Sequence, residues 1–543
     1  MKHNLTLIAA VAAVLCGCGG KLDNQNLING IIPAPREVEA QSGHFRLSGA
    51  SFECDAALGE EAAARVTEFA ERARARAGAK RTVSFTLNTS LPSEGYTIDV
   101  AKNGVKVTAA DYNGVLYAIQ TMKQMLPASV YGTAAGEKLR LPCCRISDSP
   151  RFAYRGMHLD VCRHFFGVEE VKKYIDIIAV YKVNRLHWHL TEDQGWRLPI
   201  SKYPKLTEVG AWRKGTQIGL DRSTCDGIRY GGSYTREEIA DIVAYAAKNG
   251  ITIVPEIDLP GHMQAALASY PELGCKGSQP LPYEVWHRWG VSKQVLCVGR
   301  EETMRFLEDV LAEVCEMFPS EYIHIGGDEC PKNEWKTDPD CQALIRKMGL
   351  RDDENATKED RLQNYVTARI QAFLATKGRK VIGWDEVLKG ELAPGATVMS
   401  WRGTKGGIQA ASMGYDVIMT PSTYCYFDYA QSENFEKEPL GISNRNNKVV
   451  SLETVYGYEP YDELSDAAKP FIKGVQANMW TEYIATPEHL EYMLLPRLAA
   501  LSEVQWCPEG TKDFTRLRTA LETRHFPIYE ILGYNYRKSD HGF

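Results

Sequence analysis

From Pro150 onward the chain repeats one unit: a short apolar run that ends in polar or aromatic residues, followed by a stretch with helical periodicity. Eight such runs stand out: Gly156–Asp160, Arg185–Leu190, Thr252–Ile257, Tyr322–Ile325, Val381–Trp384, Val398–Trp401, Val417–Thr420 and Gly474–Trp480. Helices separate several of them. Thr235-Arg-Glu-Glu238 reads as a capping box ahead of Ile239, Ile242, Val243 and Ala246, and Asn249-Gly250 ends that helix. Glu301–Phe318 places Phe306, Leu307, Val310, Leu311 and Val314 on one stripe. Eight strand–helix units predict an α/β fold, a (β/α)8 TIM barrel over residues 150–510, with its chemistry at the C-terminal strand ends.

The chain ahead of Pro150 follows another pattern. Tyr96–Val100 alternates, Asn103-Gly104 makes a hairpin turn, Val105–Thr108 returns, and Asp111 caps a helix carrying Val115, Ile119, Met122 and Leu126. This predicts a small α+β domain over 31–148. Residues 1–18 carry a charged start, an apolar run and Leu15-Cys-Gly-Cys18, which resembles a bacterial lipoprotein signal cut before Cys18 so that its thiol takes lipid. The expected location is therefore exported and anchored to a membrane, in the periplasm or on the outer-membrane surface. Residues 19–30 are Gly- and Asn-rich and read as a tether, and 511–543 as a C-terminal helical segment packing on the barrel. A net charge of −6 offers no basic face to phosphate backbones, so nucleic acid is not an expected partner. Of 14 cysteines, two lie in the signal; the others lack C-x-x-C pairs and read mostly as small buried hydrophobes.

The most specific chemical element is Tyr322-Ile-His-Ile-Gly-Gly-Asp328-Glu329, a strand that runs through two glycines into adjacent acids. Neighbours on an extended chain point to different sides. Asp328 and Glu329 are therefore poorly placed as the facing pair of an ordinary glycosidase, whose carboxyls stand about 5 Å or more apart across the sugar bond. One acid donating a proton while its neighbour does something else suits them better.

With that segment the chain resembles the β-N-acetylhexosaminidases of glycoside hydrolase family 20. The resemblance also rests on Tyr154-Arg-Gly-Met-His-Leu-Asp160 with Arg163-His-Phe165, His187-Trp-His-Leu-Thr-Glu-Asp-Gln-Gly-Trp196 and Pro255-Glu-Ile-Asp-Leu-Pro-Gly-His262. Gly383-Trp384, Ser400-Trp401, Tyr426-Phe-Asp428 and Trp480-Thr-Glu482 continue it in order. It implies a retaining exo-enzyme in which the substrate's 2-acetamido oxygen attacks the anomeric carbon to give an oxazolinium ion. Glu329 is then the acid and later the base for water, Asp328 holds the acetamido N–H, and Tyr426 holds its carbonyl oxygen. Trp384, Trp401 and Trp480 are implied sugar walls. Arg155 is the implied partner of the 3- and 4-hydroxyls, with Asp428 and Glu482 adding hydroxyl contacts. His262 and Asp193 match a proton-linked network behind the acid, and the preceding Glu192 leaves open which of the pair meets His262.

The implied partners are N-acetylhexosamine-terminated glycans, with no cofactor. His187-x-His189 with His324 can mimic a metal site in a barrel, but strand histidines satisfied by hydrogen bonds are commoner and no metal is expected there. The loop Glu272–Gln294 is expected to shape the leaving-group side. Two other readings compete: a disaccharide-releasing relative of the lacto-N-biosidase kind, and a glycan-binding lipoprotein without turnover. The binder needs no acid, which counts against it.

Overall fold

The computed structural model describes residues 22–132, 139–278, 280–390 and 392–538. The expected signal and Cys18 lie outside them. Six strands, β1 (Glu37–Arg46), β2 (Ser51–Cys54), β3 (Thr82–Leu87), β4 (Tyr96–Ala101), β5 (Gly104–Ala109) and β6 (Arg140–Asp148), make one sheet in the order β1-β6-β4-β5-β3-β2. β4 and β5 form the expected hairpin, with Ala101 opposite Gly104. Asp111 caps helix Tyr112–Gln124 by accepting from Gly114 N at 2.9 Å. That helix and Glu60–Arg72 pack on the sheet around Phe45, Phe69, Val83, Ile98, Val107 and Met122.

The tether reading needs correction. Residues 22–29 are helical, Asn24 is wholly buried with its amide nitrogen donating to Gln41 O (2.6 Å) and Gly43 O (2.8 Å), and Ile28 enters the domain core. An asparagine that reads as linker composition is here a clamp on two carbonyls, and such use is invisible without its distant acceptors.

The second unit is the barrel. β7 (Tyr154–Asp160), β8 (Arg185–His189), β9 (Thr252–Glu256), β10 (Tyr322–His324), β11 (Lys380–Trp384), β12 (Thr397–Ser400), β13 (Val417–Met419) and β14 (Ile472–Ala477) close in chain order with parallel pairing. The seam pairs Gly474 with Tyr154. Glycine is required there, because a Cβ at 474 would stand 1.7 Å from Tyr154 O. The capping box at Thr235 is present on helix Arg236–Lys248, and the expected stripe lies on Glu301–Met317.

The C-terminal segment is helical and packs on the barrel as expected, and it also reaches the N-terminal domain. Helix Phe514–Ala520 passes through a π-helical turn, Leu521–His525, into Phe526–Leu532. From this run Leu517, Leu521 and Tyr529 join the barrel core, but Ile528 joins the core of the N-terminal domain, as does Trp506 from the preceding helix. The segment thus bridges two cores instead of covering one.

Candidate active site

The loop after β10 sets the geometry. Gly326 and Gly327 take φ of +61° and +97°, and Glu329 holds +47°, a conformation that costs a non-glycine residue energy and needs support from its surroundings. Asp258, just beyond β9, gives that support: its Oδ1 accepts from Gly327 N at 3.0 Å. A Cβ at Gly326 would meet the same oxygen at 1.9 Å. Two glycines therefore let a buried carboxylate grip the turn, and the turn delivers the two acids to the mouth.

Below them lies a polar hub. Glu256, at the end of β9, accepts from Trp384 Nε1 (2.9 Å) and meets His187 Nε2 (3.0 Å), His189 Nδ1 (2.5 Å) and His324 Nδ1 (3.0 Å). Three strand histidines thus converge on one carboxylate. Burial works against a charged His189, yet Glu256 and Glu192 outweigh it and raise its pKa to about 10. Burial and neighbouring His324 push His187 the other way, to about 4.

A second chain of contacts backs the acids. His262, in a left-handed conformation, places Nδ1 2.7 Å from Glu192 Oε1 and 3.3 Å from Asp193 Oδ2. Glu192 is therefore the nearer partner. Burial opposes the imidazolium, but these two carboxylates overcome it and keep the ring charged. Its Nε2 faces forward, 3.8 Å from Asp328 Oδ2 and 3.7 Å from Glu329 Oε2. Burial, then the charge of Asp328, pushes the Glu329 carboxyl up, with His262 opposing. Burial likewise raises Asp328, again opposed by His262.

The cavity above this floor, about 150 Å³, is lined by Asp328, Glu329, Trp384, Trp401, Tyr426, Asp428, Tyr429, Ile442, Trp480, Glu482 and Arg163. Trp401 and Tyr426 lie nearly parallel, 20° apart with centroids 6.2 Å apart. Trp401 is held by Glu386, whose Oε2 accepts from its Nε1 at 3.0 Å, and Trp480 lies 6.1 Å from Trp384. Several buried polar atoms in this region have no partner among the described residues: Asp328 Oδ1, Asp428 Oδ1, His262 Nε2 and Arg163 Nε. Buried polar groups in folded proteins are nearly always paired with protein, water or ligand, so those of Arg163, Asp328 and Asp428 that line the cavity are open to a polar ligand.

Arg155 is not there. It is the second residue of β7, roughly 16 Å below the strand's C-terminal end at about 3.3 Å per residue. Its guanidinium meets Glu94 Oε2 (2.7 Å), Tyr117 OH (2.8 Å), Phe152 O and Lys182 O (both 2.9 Å), and it is 1% exposed. The reading of Arg155 as a sugar ligand is therefore corrected: it joins the barrel's lower end to the N-terminal domain. The arginine at the mouth is Arg163, three residues past β7, held by Asp160 (3.3 Å) and Glu192 (3.1 Å) with its guanidinium 4.9 Å from the Trp480 ring. Its sequence signal was present, since Arg163-His-Phe165 belongs to the same segment. Glu256, Asp258 and Glu386 also escaped sequence reading, because their roles lie in contacts between strands.

Residues 152–509 match the model of the glycosyl hydrolase family 20 catalytic domain, and 29–149 match domain 2 of that family. The chain belongs to glycosyl hydrolase family 20. A β-hexosaminidase of Porphyromonas gingivalis is 46% identical over 435 residues, 79% of this chain and 53% of that protein. One of Vibrio furnissii is 35% identical over 480 residues, covering 87% and 76%. The chain thus spans about half the length of the first relative and three quarters of the second. Among solved structures, the family 20 exo-β-N-acetylglucosaminidase of Vibrio harveyi in complex with N-acetylglucosamine superposes with a TM-score of 0.82 at 33% identity, covering 94% of this chain and 78% of the other. Family membership fits the site, with both acids, the three tryptophans, Tyr426 and Arg163 around one cavity.

Proposed function

We propose that this family 20 glycosidase is a retaining exo-β-N-acetylhexosaminidase that removes terminal GlcNAc or GalNAc from glycans by substrate-assisted catalysis. The observation that carries the reading is the unequal setting of the paired acids. The Glu329 side chain is 44% exposed at the mouth, while that of Asp328 is 14% exposed, with one oxygen unpartnered at the floor. Glu329 is placed to protonate the leaving oxygen, and Asp328 to accept the acetamido N–H between the aromatic walls.

The bonds balance in two steps. The acetamido oxygen forms a bond to the anomeric carbon as the glycosidic C–O bond breaks, and the Glu329 proton goes to the departing oxygen. Water then attacks the same carbon, gives its proton to Glu329, and reopens the ring. Asp328 stabilises the positive charge that spreads over the cyclised amide, and Tyr426 orients its carbonyl. Two inversions leave configuration retained, and proton NMR of the first-formed sugar tests this: an inverted product rejects the mechanism.

The cavity is small beside the roughly 300–1,000 Å³ typical of ligand pockets, which favours one sugar over a disaccharide. Chromogenic GlcNAc and lacto-N-biose glycosides separate these cases, and turnover of neither supports the non-catalytic binder. The lipoprotein-like Leu15-Cys-Gly-Cys18 supports export and anchoring through Cys18 in the periplasm or at the outer-membrane surface. Loss of palmitate labelling in Cys18→Ala tests the anchor.

A further inference from the structure

Three cysteines that lie far apart in sequence meet in one buried place. Cys275 follows the short turn Pro271–Leu273, Cys297 follows Leu296, which bridges to Gly274, and Cys341 lies in the first turn of helix Pro339–Lys347. All three are buried, and their sulfurs lie within 4.8 Å of one another. Cys297 Sγ and Cys341 Sγ are 3.8 Å apart. A disulfide joins two sulfurs at about 2.05 Å and leaves the third thiol with no role. Two sulfurs held at about 2.3 Å by a tetrahedral ion stand about 3.8 Å apart.

A carboxylate adjoins them: Cys297 Sγ donates to Asp338 Oδ1 at 3.3 Å. Asp338 is buried and fixed as the cap of helix Pro339–Lys347, because its Oδ1 accepts from Asp340 N (3.0 Å) and Cys341 N (2.8 Å) and its Oδ2 from Lys276 N (2.8 Å). Arg300 stands beside the cluster, with a terminal nitrogen donating to Gly274 O and its Nε 3.8 Å from Asp340 Oδ2.

We infer that Cys275, Cys297 and Cys341 bind one divalent cation of the zinc class, with water as the fourth ligand and the three thiol protons leaving to solvent as the metal–sulfur bonds form. Soft thiolate donors select such an ion over calcium or magnesium. The site staples the base of the chain between Cys275 and Cys297 to helix Pro339–Lys347. That chain runs up to the active site, where Trp286 N donates to Asp193 O (3.0 Å) and Ser292 N to Asp193 Oδ2 (2.9 Å), and Asp193 meets His262. The ion is structural; no step at the anomeric carbon passes through it.

The test is elemental analysis of the full-length protein, purified without chelator and also dialysed against zinc, together with X-ray absorption at the zinc edge. The expected result is about one zinc per chain with three sulfur neighbours near 2.3 Å. Cys341→Ser should lower zinc content at least tenfold; because that variant can also fail to fold, the wild-type measurement decides. Zinc below a tenth of an equivalent after dialysis overturns the inference, whether peptide mapping then finds a disulfide among the three cysteines or three free thiols. Bound zinc with only nitrogen and oxygen neighbours overturns it equally.

Discussion

Two arginines eight positions apart, on one strand and the turn after it, divide the molecule between them. At the lower end of β7, Arg155 has every nitrogen engaged by protein: Glu94, Tyr117 and two carbonyls. At the upper end Arg163 has carboxylates on its terminal nitrogens, but its Nε is unpartnered and its flank faces the cavity. The lower end is finished as a protein structure and the upper end is finished by a ligand. Stability and chemistry should therefore respond to different substitutions.

The sharpest separation is expected at Glu329. Glu329→Gln keeps shape but removes the transferable proton, and turnover on natural linkages should fall by roughly two to four powers of ten. Aryl glycosides with good leaving groups should lose less, and thermal unfolding should scarcely move. An equal loss on both kinds of substrate removes Glu329 from the role of acid.

Arg155→Met reverses the pattern. It strands Glu94 in a buried setting, which typically costs about 3–5 kcal/mol, while kcat/KM per folded molecule should remain unchanged. pH gives the same contrast without mutation. Burial pushes the Glu94 carboxyl up, but Arg155 and hydrogen bonds from Asn113 and Asn184 outweigh it and bring its pKa to about 2 from an ordinary 4.5. A depressed carboxyl stabilises the fold fully above about pH 4.5, and that contribution, about 3 kcal/mol, is lost as pH falls toward 2. Glu329 is shifted upward, so its proton, and with it kcat/KM, is lost as pH rises. Denaturant titrations between pH 5 and 2 on wild type and Glu94→Gln check the first half: the variant should be less stable at pH 5 and show a flatter acid limb. Matching limbs would detach the lower clamp from acid stability.

The same contrast explains what could be read in advance. Short apolar runs with polar ends gave all eight barrel strands, because burial on both faces of a parallel strand writes a continuous signal. Asp328, Glu329 and Tyr426 were legible as a pattern carried by resemblance. The choice between Arg155 and Arg163 was legible as well, since Arg155 precedes the expected strand Gly156–Asp160 and Arg163 follows its C-terminal end, but the resemblance was laid on the wrong one of two arginines in a single segment. The Glu256 hub, the Asp258 grip on Gly327 and the three-cysteine cluster depend on pairings across 22 to 128 positions, which local periodicity does not carry.

Arg163→Met tests the upper arginine. Hydrogen bonds to a charged group are worth about 1.5–3 kcal/mol each, so kcat/KM for GlcNAc glycosides should fall roughly 10- to 150-fold, with most of the change in KM. The chain should remain folded, since Asp160 keeps its bonds to Cys162 N and Thr481. A loss no larger than that of Arg155→Met per folded molecule would erase the distinction between the two ends.

The smallest effect concerns Asp428, one of the implied hydroxyl contacts, which we assign to the sugar's 6-position. Burial, then the charge of Glu482, pushes the Asp428 carboxyl well above the usual range, while Arg497 and Arg163 oppose. Over the lower part of the pH range Asp428 is therefore a neutral acid, able to share a hydrogen bond with a hydroxyl and without charge to repel a 6-sulfate. As pH rises the carboxylate forms beside the sulfate in a partly dry pocket, and like charges disfavour that substrate. The preference for neutral over 6-sulfated GlcNAc should widen several-fold with pH. In Asp428→Asn, an isostere of the neutral acid, the ratio should stay flat, and activity on the neutral sugar should change little at low pH. A wild-type ratio that does not move with pH, measured by paired kcat/KM values, would take Asp428 away from the 6-position while leaving Asp328, Glu329 and Arg163 where they are.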